Sequence, residues 1–403
     1  MKPLRRSLTM KRRSLIALLA AMVAGPAFAQ QMNSAPPNAA GQSPAFQGQT
    51  RAPELQDGIH VKQQSVISGL ENPWGMALLP DGSWLITEKP GRMRLFADGK
   101  LSEPLAGLPK VDTRKQGGLL DVAVAPDFAQ TRRIWWSFAE TREGGKTSTS
   151  VATGTLSADG TRIEGAKVIF RQEPAWESTM HYGSRLVFDQ QGGLFVTTGE
   201  RSLPKARQLA QDVNTHLGKV LRIDPMTGRG LSGNPFANGG GQPEIWSWGH
   251  RNLQAAALDA EGRLWTVEHG PKGGDELNMP LAGRNYGWPI ITYGEDYSGK
   301  AIGKGITQQE GMEQPVYYWD PVIAPSGMAF YDGAMFPEMQ GDALIGGLQA
   351  KALVRLKIKD GHVIGEQHLA QGIGRVRDVA IAPDGAIMVL TDAEDGALIR
   401  LSR

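Results

Sequence analysis

From about residue 58 onward, short apolar runs alternate with tight polar turns, and no stretch sustains a helical period. The same unit recurs: an apolar run, a Pro-Asp-Gly-like turn, then a second apolar run. It appears at 75–96 as GMALLPDGSWLITEKPGRMRLF. It returns as LLDVAVAPDF from Leu119, with RIWWSFAE following from Arg133, and as RLVFDQQGGLFVTTGE from Arg185. Three more copies are AALDAEGRLWTVEHG from Ala256, GMAFYDGAMFPEMQGDALIGGL from Gly327 and RDVAIAPDGAIMVLTDAEDGALIRL from Arg377. Asp-Gly turns supply the positive φ that short hairpins need. The flanking Val, Leu, Ile, Trp and Phe suit pleated, buried strands.

One hairpin cannot bury both of its faces, so such units must stack side by side. Six copies, at about 58 residues each against about 40–50 for a plain blade, predict an all-β chain. The architecture expected is a six-bladed β-propeller with four-stranded antiparallel blades and inserted loops, which also protects sheet edges. Two separate β-sandwiches are the alternative that turn spacing leaves open. The propeller is expected to occupy 58–403 as a single domain.

The first 57 residues read differently. Arg5, Arg6, Lys11, Arg12 and Arg13 precede an apolar run from Leu15 to Val23, and Ala27-Phe28-Ala29 supplies a small-x-small cleavage site. That layout predicts a signal peptide over 1–29, cut after Ala29. The run is short for a membrane span, so the mature chain is expected to have none and to be periplasmic. Met10 is a second possible start. Two arginine pairs fit twin-arginine export, but no phenylalanine follows either, so the export route stays open. Residues 30–57, rich in Gln, Pro, Ala, Asn and Gly, are expected to form a flexible leader.

Composition narrows the chemistry. The formal net charge is +2, which gives no broad field for nucleic acid or anionic membranes. Cysteine is absent, so disulfides and thiolate chemistry are excluded. Catalysis must rest on His, carboxylates, hydroxyls, Lys, Arg or a cofactor. Function is expected where loops leave the repeat. Five stretches do so: KQGGLLDV with Gln116, MHYGSRL with His181 and Arg185, EIWSWGHRNLQA with His250 to Gln254, 267–289, and a C-terminal cationic set of Lys351, Arg375 and Arg377.

The motifs ENPWGMALLPDG, HYGSRLVFD, LGKVLRIDP, GHRNLQ, EHGPKGGDELN, NYGWP and GRVRDVAIAPDG occur in that order from about Leu70 onward. In this order they resemble the soluble PQQ-dependent glucose/sorbosone dehydrogenase family, and most closely its aldose sugar dehydrogenase branch. The resemblance implies oxidation of aldoses at the anomeric hydroxyl to lactones, by hydride transfer to pyrroloquinoline quinone (PQQ), with an external electron acceptor. It places the cofactor on the top face of a six-bladed propeller.

Residue by residue, it implies that His181 is the general base and that Arg251 stabilises charge developing on the quinone oxygen. It implies cofactor contacts from Gln116, Arg251, Asn252, Lys351, Arg375 and Arg377. Arginine suits a tricarboxylate because its planar fork binds carboxylates bidentately. Without the resemblance, a lone histidine reads as structural and Arg375 and Arg377 as a solvated strand face.

Gly270 and Pro271 match positions whose carbonyls bind a catalytic Ca²⁺. Glu276, Asp296 and Glu313, with the Tyr286 carbonyl, are expected to hold a second, structural Ca²⁺. His250 and His269 are expected to serve as hydrogen-bond partners behind the site. Two positions depart from the family: Leu253 replaces a frequent proline, and Asp320 stands where the glucose-oxidising branch has an aromatic. The latter predicts a more open substrate pocket. A calcium-dependent propeller lactonase and a non-catalytic binding propeller are the competing functions.

Overall fold

The computed structural model describes residues 31–403; the expected signal peptide lies outside them. Six four-stranded sheets make up the fold. Blade 1 comprises Pro73–Leu78, Trp84–Glu88, Arg92–Ala97 and Lys100–Leu101. Blades 2 and 3 begin on Leu119–Val124 and Gly183–Phe188. Blades 4, 5 and 6 begin on Leu253–Leu258, Pro325–Phe330 and Val376–Ile381. The six opening strands neighbour one another in order, and the sixth returns to the first, so the ring is closed. Blade 6 is completed by the first strand of the fold, Lys62–Leu70, which runs antiparallel to Gly396–Ser402. The six repeats in the sequence are therefore six blades, and the only α-helical segments among the described residues are single turns.

The core lies between blades. Leu85 of blade 1 packs with Leu119, Trp136 and Phe138 of blade 2. Trp265 and Leu277 of blade 4 pack with Ile345 and Val354 of blade 5. Period-2 alternation produces this arrangement: inside a ring both faces of each sheet meet a neighbour, so the inner strands read as nearly continuous apolar runs. The extra length per unit resides in loops, above all 279–316, which separates the third and fourth strands of blade 4.

On the ring axis sits a charged plug. Arg185 lies 2.8 Å from Asp121 and 3.0 Å from Asp378, and all three are buried. Asp121 also accepts the Leu186 amide, and Asp378 the Met76 amide. Blades 2, 3 and 6 are thereby tied across the centre. Burial pushes the Asp121 carboxyl up to about 7, against the pull of Arg185.

Residues 31–57, expected to be a flexible leader, instead pack on blades 4 and 5. Ala39, Gln49 and Ala52 are buried. The Ala52 amide donates to the Tyr317 hydroxyl, and at the edge of blade 5 the Leu55 amide donates to the Glu366 carbonyl while the Glu366 amide donates to the Pro53 carbonyl. Low apolar content masked this, because the segment is held through its backbone amides and polar side chains rather than through large side chains.

Candidate active site

At the end of the axis where the inner strands begin, above the plug, lies a cavity of about 200 Å³. Its position follows from the repeat. Trp74, Leu120, Gly183, Gln254 and Arg377 each occupy the first or second place of an inner strand. The loops between strands add Lys89, Gln116, His269, Arg375 and Asp392.

The wall is cationic. Arg375 donates through Nε and Nη2 to one oxygen of Asp392, and Arg377 Nη2 donates to the same oxygen at 2.9 Å. Arg377 Nη1 reaches Gln254 Oε1 at 3.2 Å, while its Nε is buried without a partner. Its guanidinium stands 5.9 Å from the Trp74 ring. Burial works against the Asp392 charge, yet Arg377 and Arg375 hold it below the usual carboxylate range. Lys89 donates to the Lys115 carbonyl at 2.9 Å. Burial, and then Arg377, push its ammonium below the ordinary lysine value. Three cations thus face one carboxylate.

Beside this wall stands His181. Its Nδ1 lies 3.1 Å from Glu200 Oε1, and both side chains are buried. An ionised Glu200 can only accept, so Nδ1 carries the proton and Nε2 is left as the basic nitrogen. Burial opposes the Glu200 charge, but His181, Arg251 and the Ser202 amide hold the carboxyl below its ordinary value. Burial first, then Arg251, push the His181 imidazole below its ordinary value, against the pull of Glu200.

The backbone around His181 is held in a rarely used conformation. His181, Ser184, Arg201 and Ser202 all have positive φ, at 52°, 97°, 73° and 68°. Each costs of order 1–3 kcal/mol and persists only where surroundings over-determine it. They do so here. Gln116 Oε1 accepts the His181 amide at 2.7 Å, Arg201 donates to the His181 carbonyl at 3.2 Å, and Arg201 lies over the Tyr182 ring. Gly199 is required opposite: a Cβ there would come within 2.0 Å of the His181 carbonyl oxygen.

Arg251 is fixed by its amide on Glu268 (2.5 Å), by Nη1 on the His269 carbonyl (2.9 Å) and by the Trp288 ring at 5.3 Å. Its buried Nε has no partner. Asn252 Oδ1 accepts the Gly183 amide at 3.1 Å. His250 does stand behind the site, between Ser247 and Glu268. His269 lines the cavity itself, and burial holds its imidazole down at about 3.

Residues 70–400 match the family described as Glucose / Sorbosone dehydrogenase. The chain belongs to that family. The aldose sugar dehydrogenase YliI of Escherichia coli K12 is 43% identical over 339 residues, which is 83% of this chain and 90% of that protein. The apo-form crystal structure of the soluble E. coli aldose sugar dehydrogenase superposes with a TM-score of 0.81 at 43% identity, over 85% of this chain and 99% of that one. The PQQ-bound aldose sugar dehydrogenase of Streptomyces coelicolor superposes at 0.71 and 27% identity, over 85% of this chain and 98% of that one.

For a glucose/sorbosone dehydrogenase the sequence-derived site is largely assembled. Gln116, Asn252, Arg375 and Arg377 surround one cavity, and His181 and Arg251 stand beside it. Lys351 does not line it: it is exposed, in a turn with φ 51°. Lys89, Trp74 and Asp392 line it and were missed, as was Glu200.

The expected structural calcium set does not come together. Half-buried Glu276 accepts Asn278 Nδ2, half-buried Asp296 accepts Ser298, and Glu313 faces Arg284 at 3.5 Å. Among the described residues no three His, Asp or Glu side chains form a metal-binding group. The three carboxylates fall on a buried strand and two separate stretches of the 279–316 loop, each with its own partners. Asp320 does not open a substrate pocket either: its carboxylate is taken by the Asn38 and Ala39 amides.

Proposed function

We propose that this chain is a periplasmic, PQQ-dependent aldose sugar dehydrogenase that oxidises the anomeric hydroxyl to the lactone. The observation that carries the reading is the juxtaposition of an oriented, neutral imidazole with a cavity lined by an excess of cations. The names of the E. coli and Streptomyces relatives support the substrate class and the cofactor. The residues present fit a flat, polyanionic quinone. Three cations face one acid, Trp74 offers an aromatic face, and the buried Nε donors of Arg251 and Arg377 lack acceptors. Neither the Gly270 nor the Pro271 carbonyl accepts a backbone hydrogen bond, which leaves two hard oxygens for calcium.

When bound, PQQ supplies a two-electron acceptor and calcium supplies Lewis acidity. The chain does the rest. Arg375, Arg377 and Lys89 would hold the carboxylates of the cofactor, while Gln116 and Asn252 fix the His181–Gly183 loop. His181 Nε2 takes the proton of the anomeric hydroxyl as the bond between carbon and hydrogen breaks. Without that transfer the sugar would become a protonated carbonyl, a high-energy species. Glu200 then stabilises the imidazolium that forms, while burial and the Arg251 cation keep the resting imidazole neutral.

The test is dye reduction by apo-protein given PQQ, Ca²⁺ and a panel of aldoses. Reduction that needs both additions is expected. Lactone hydrolysis without PQQ would make the chain a lactonase instead, and silence in both assays would make it a binding propeller.

A further inference from the structure

We propose that residues 31–57 are a brace that positions the Gly270–Gly274 loop, and through it the floor of the site. This segment lies outside the residues that match the family. Its far end grips blade 4. The Asn38 and Ala39 amides donate to the two carboxylate oxygens of Asp320, and the Val322 amide returns a bond of 2.8 Å to Asn38 Oδ1. Arg51 ties the segment to itself through the Asn33 and Ala35 carbonyls and to the ring through the Asp320 carbonyl, at 2.8–2.9 Å. Gln49, fully buried, accepts the Tyr293 hydroxyl at 3.0 Å and donates to the Pro315 carbonyl at 2.9 Å.

These contacts converge on one loop. Gly273 is wedged between Ala39 and Asp320, where an added Cβ would meet them at 3.0 and 3.1 Å and where φ is 86°. The Gly274 amide donates to the Trp319 carbonyl, next to Asp320. Asp275 completes the frame, accepting the Gly270 amide with one oxygen and the Ile323 and Ala324 amides with the other. His269, immediately before the loop, lines the cavity. Asp320 is therefore an anchor for the brace, which explains an acid there without any contact to substrate.

Hydrogen exchange on the full chain, without PQQ or calcium, tests the brace itself. The variant is Asp320→Ala combined with Gln49→Ala. The peptide spanning 269–275 is expected to exchange about tenfold faster, together with 31–57, while blades 1 to 3 keep wild-type protection. Faster exchange in 31–57 with an unchanged 269–275 peptide would overturn the proposal, and so would no change in either. A second arm rests on the cofactor reading above. Calcium titrated into the same variant should bind about 10–100-fold more weakly, the loss typical when support behind metal ligands is removed. If the wild type binds neither PQQ nor calcium, the cofactor reading falls, while the exchange result still decides the brace.

Discussion

His181 was legible from the HYGSRL motif, but Glu200 was not, because an acid closing the run LFVTTGE reads as a solvated turn. The signal was nonetheless present in the register. Gly183 pairs with Thr198, so the residue two places before the first opposes the residue two places after the second, which sets His181 against Glu200. The proposed base predicts that His181→Gln keeps PQQ and sugar binding while turnover falls about 10²–10⁴-fold, the usual contribution of a general base. Single-turnover reduction of the loaded variant measures it. Because burial and Arg251 lower the imidazole, and the neutral form is the active one, the rising limb of the kcat/KM–pH profile should lie below the ordinary imidazole value. Glu200→Gln removes the charge that favours protonation, so the limb should move to still lower pH while kcat drops. A limb that moves upward would contradict the assigned role.

At the scale of elements, placement in the blade decided which cations reach the cavity. Arg375 and Arg377 flank the start of an inner strand, which is the layer that lines the axis, and the motif alone was enough to find them. Lys351 follows the strand Ala343–Gly347 in an exposed turn, whereas Lys89 follows Trp84–Glu88 in a loop that folds inward. Chain order could not separate two such lysines; only the packing of the loops does. Lys89→Met should therefore weaken PQQ binding more than Lys351→Met, as read by titration of the apo-protein with PQQ in the presence of calcium. Equal losses would place the two side chains alike. The carboxylates of the supposed second calcium site illustrate the converse: Glu276 sits on a strand and Asp296 and Glu313 on separate stretches of the loop 279–316, each with its own partners, and they form no metal-binding group.

Across the whole molecule, six repeats were enough to indicate a ring, but not how it closes. The closing strand KQQSVISGL is mostly exposed and lacks the apolar signature of its partners. The axial plug was likewise hidden, since Asp121, Arg185 and Asp378 lie far apart in the chain and inside otherwise apolar runs. Removing Arg185 would leave two buried carboxylates unpaired. Arg185→Met should cost about 3–5 kcal/mol in urea unfolding, the range for breaking a buried pair; a loss under about 1 kcal/mol would show that the ring does not depend on the plug. The ring, the plug and the oriented imidazole converge on a single claim, that the bound quinone is reduced by sugar. Protein loaded with one equivalent of PQQ and with calcium, mixed anaerobically with an aldose and no dye, should lose the absorbance of oxidised PQQ in one turnover. Lactone should form in equal amount, and prior chelation of calcium should abolish both changes. Fully loaded protein that leaves PQQ oxidised in excess aldose would contradict the account.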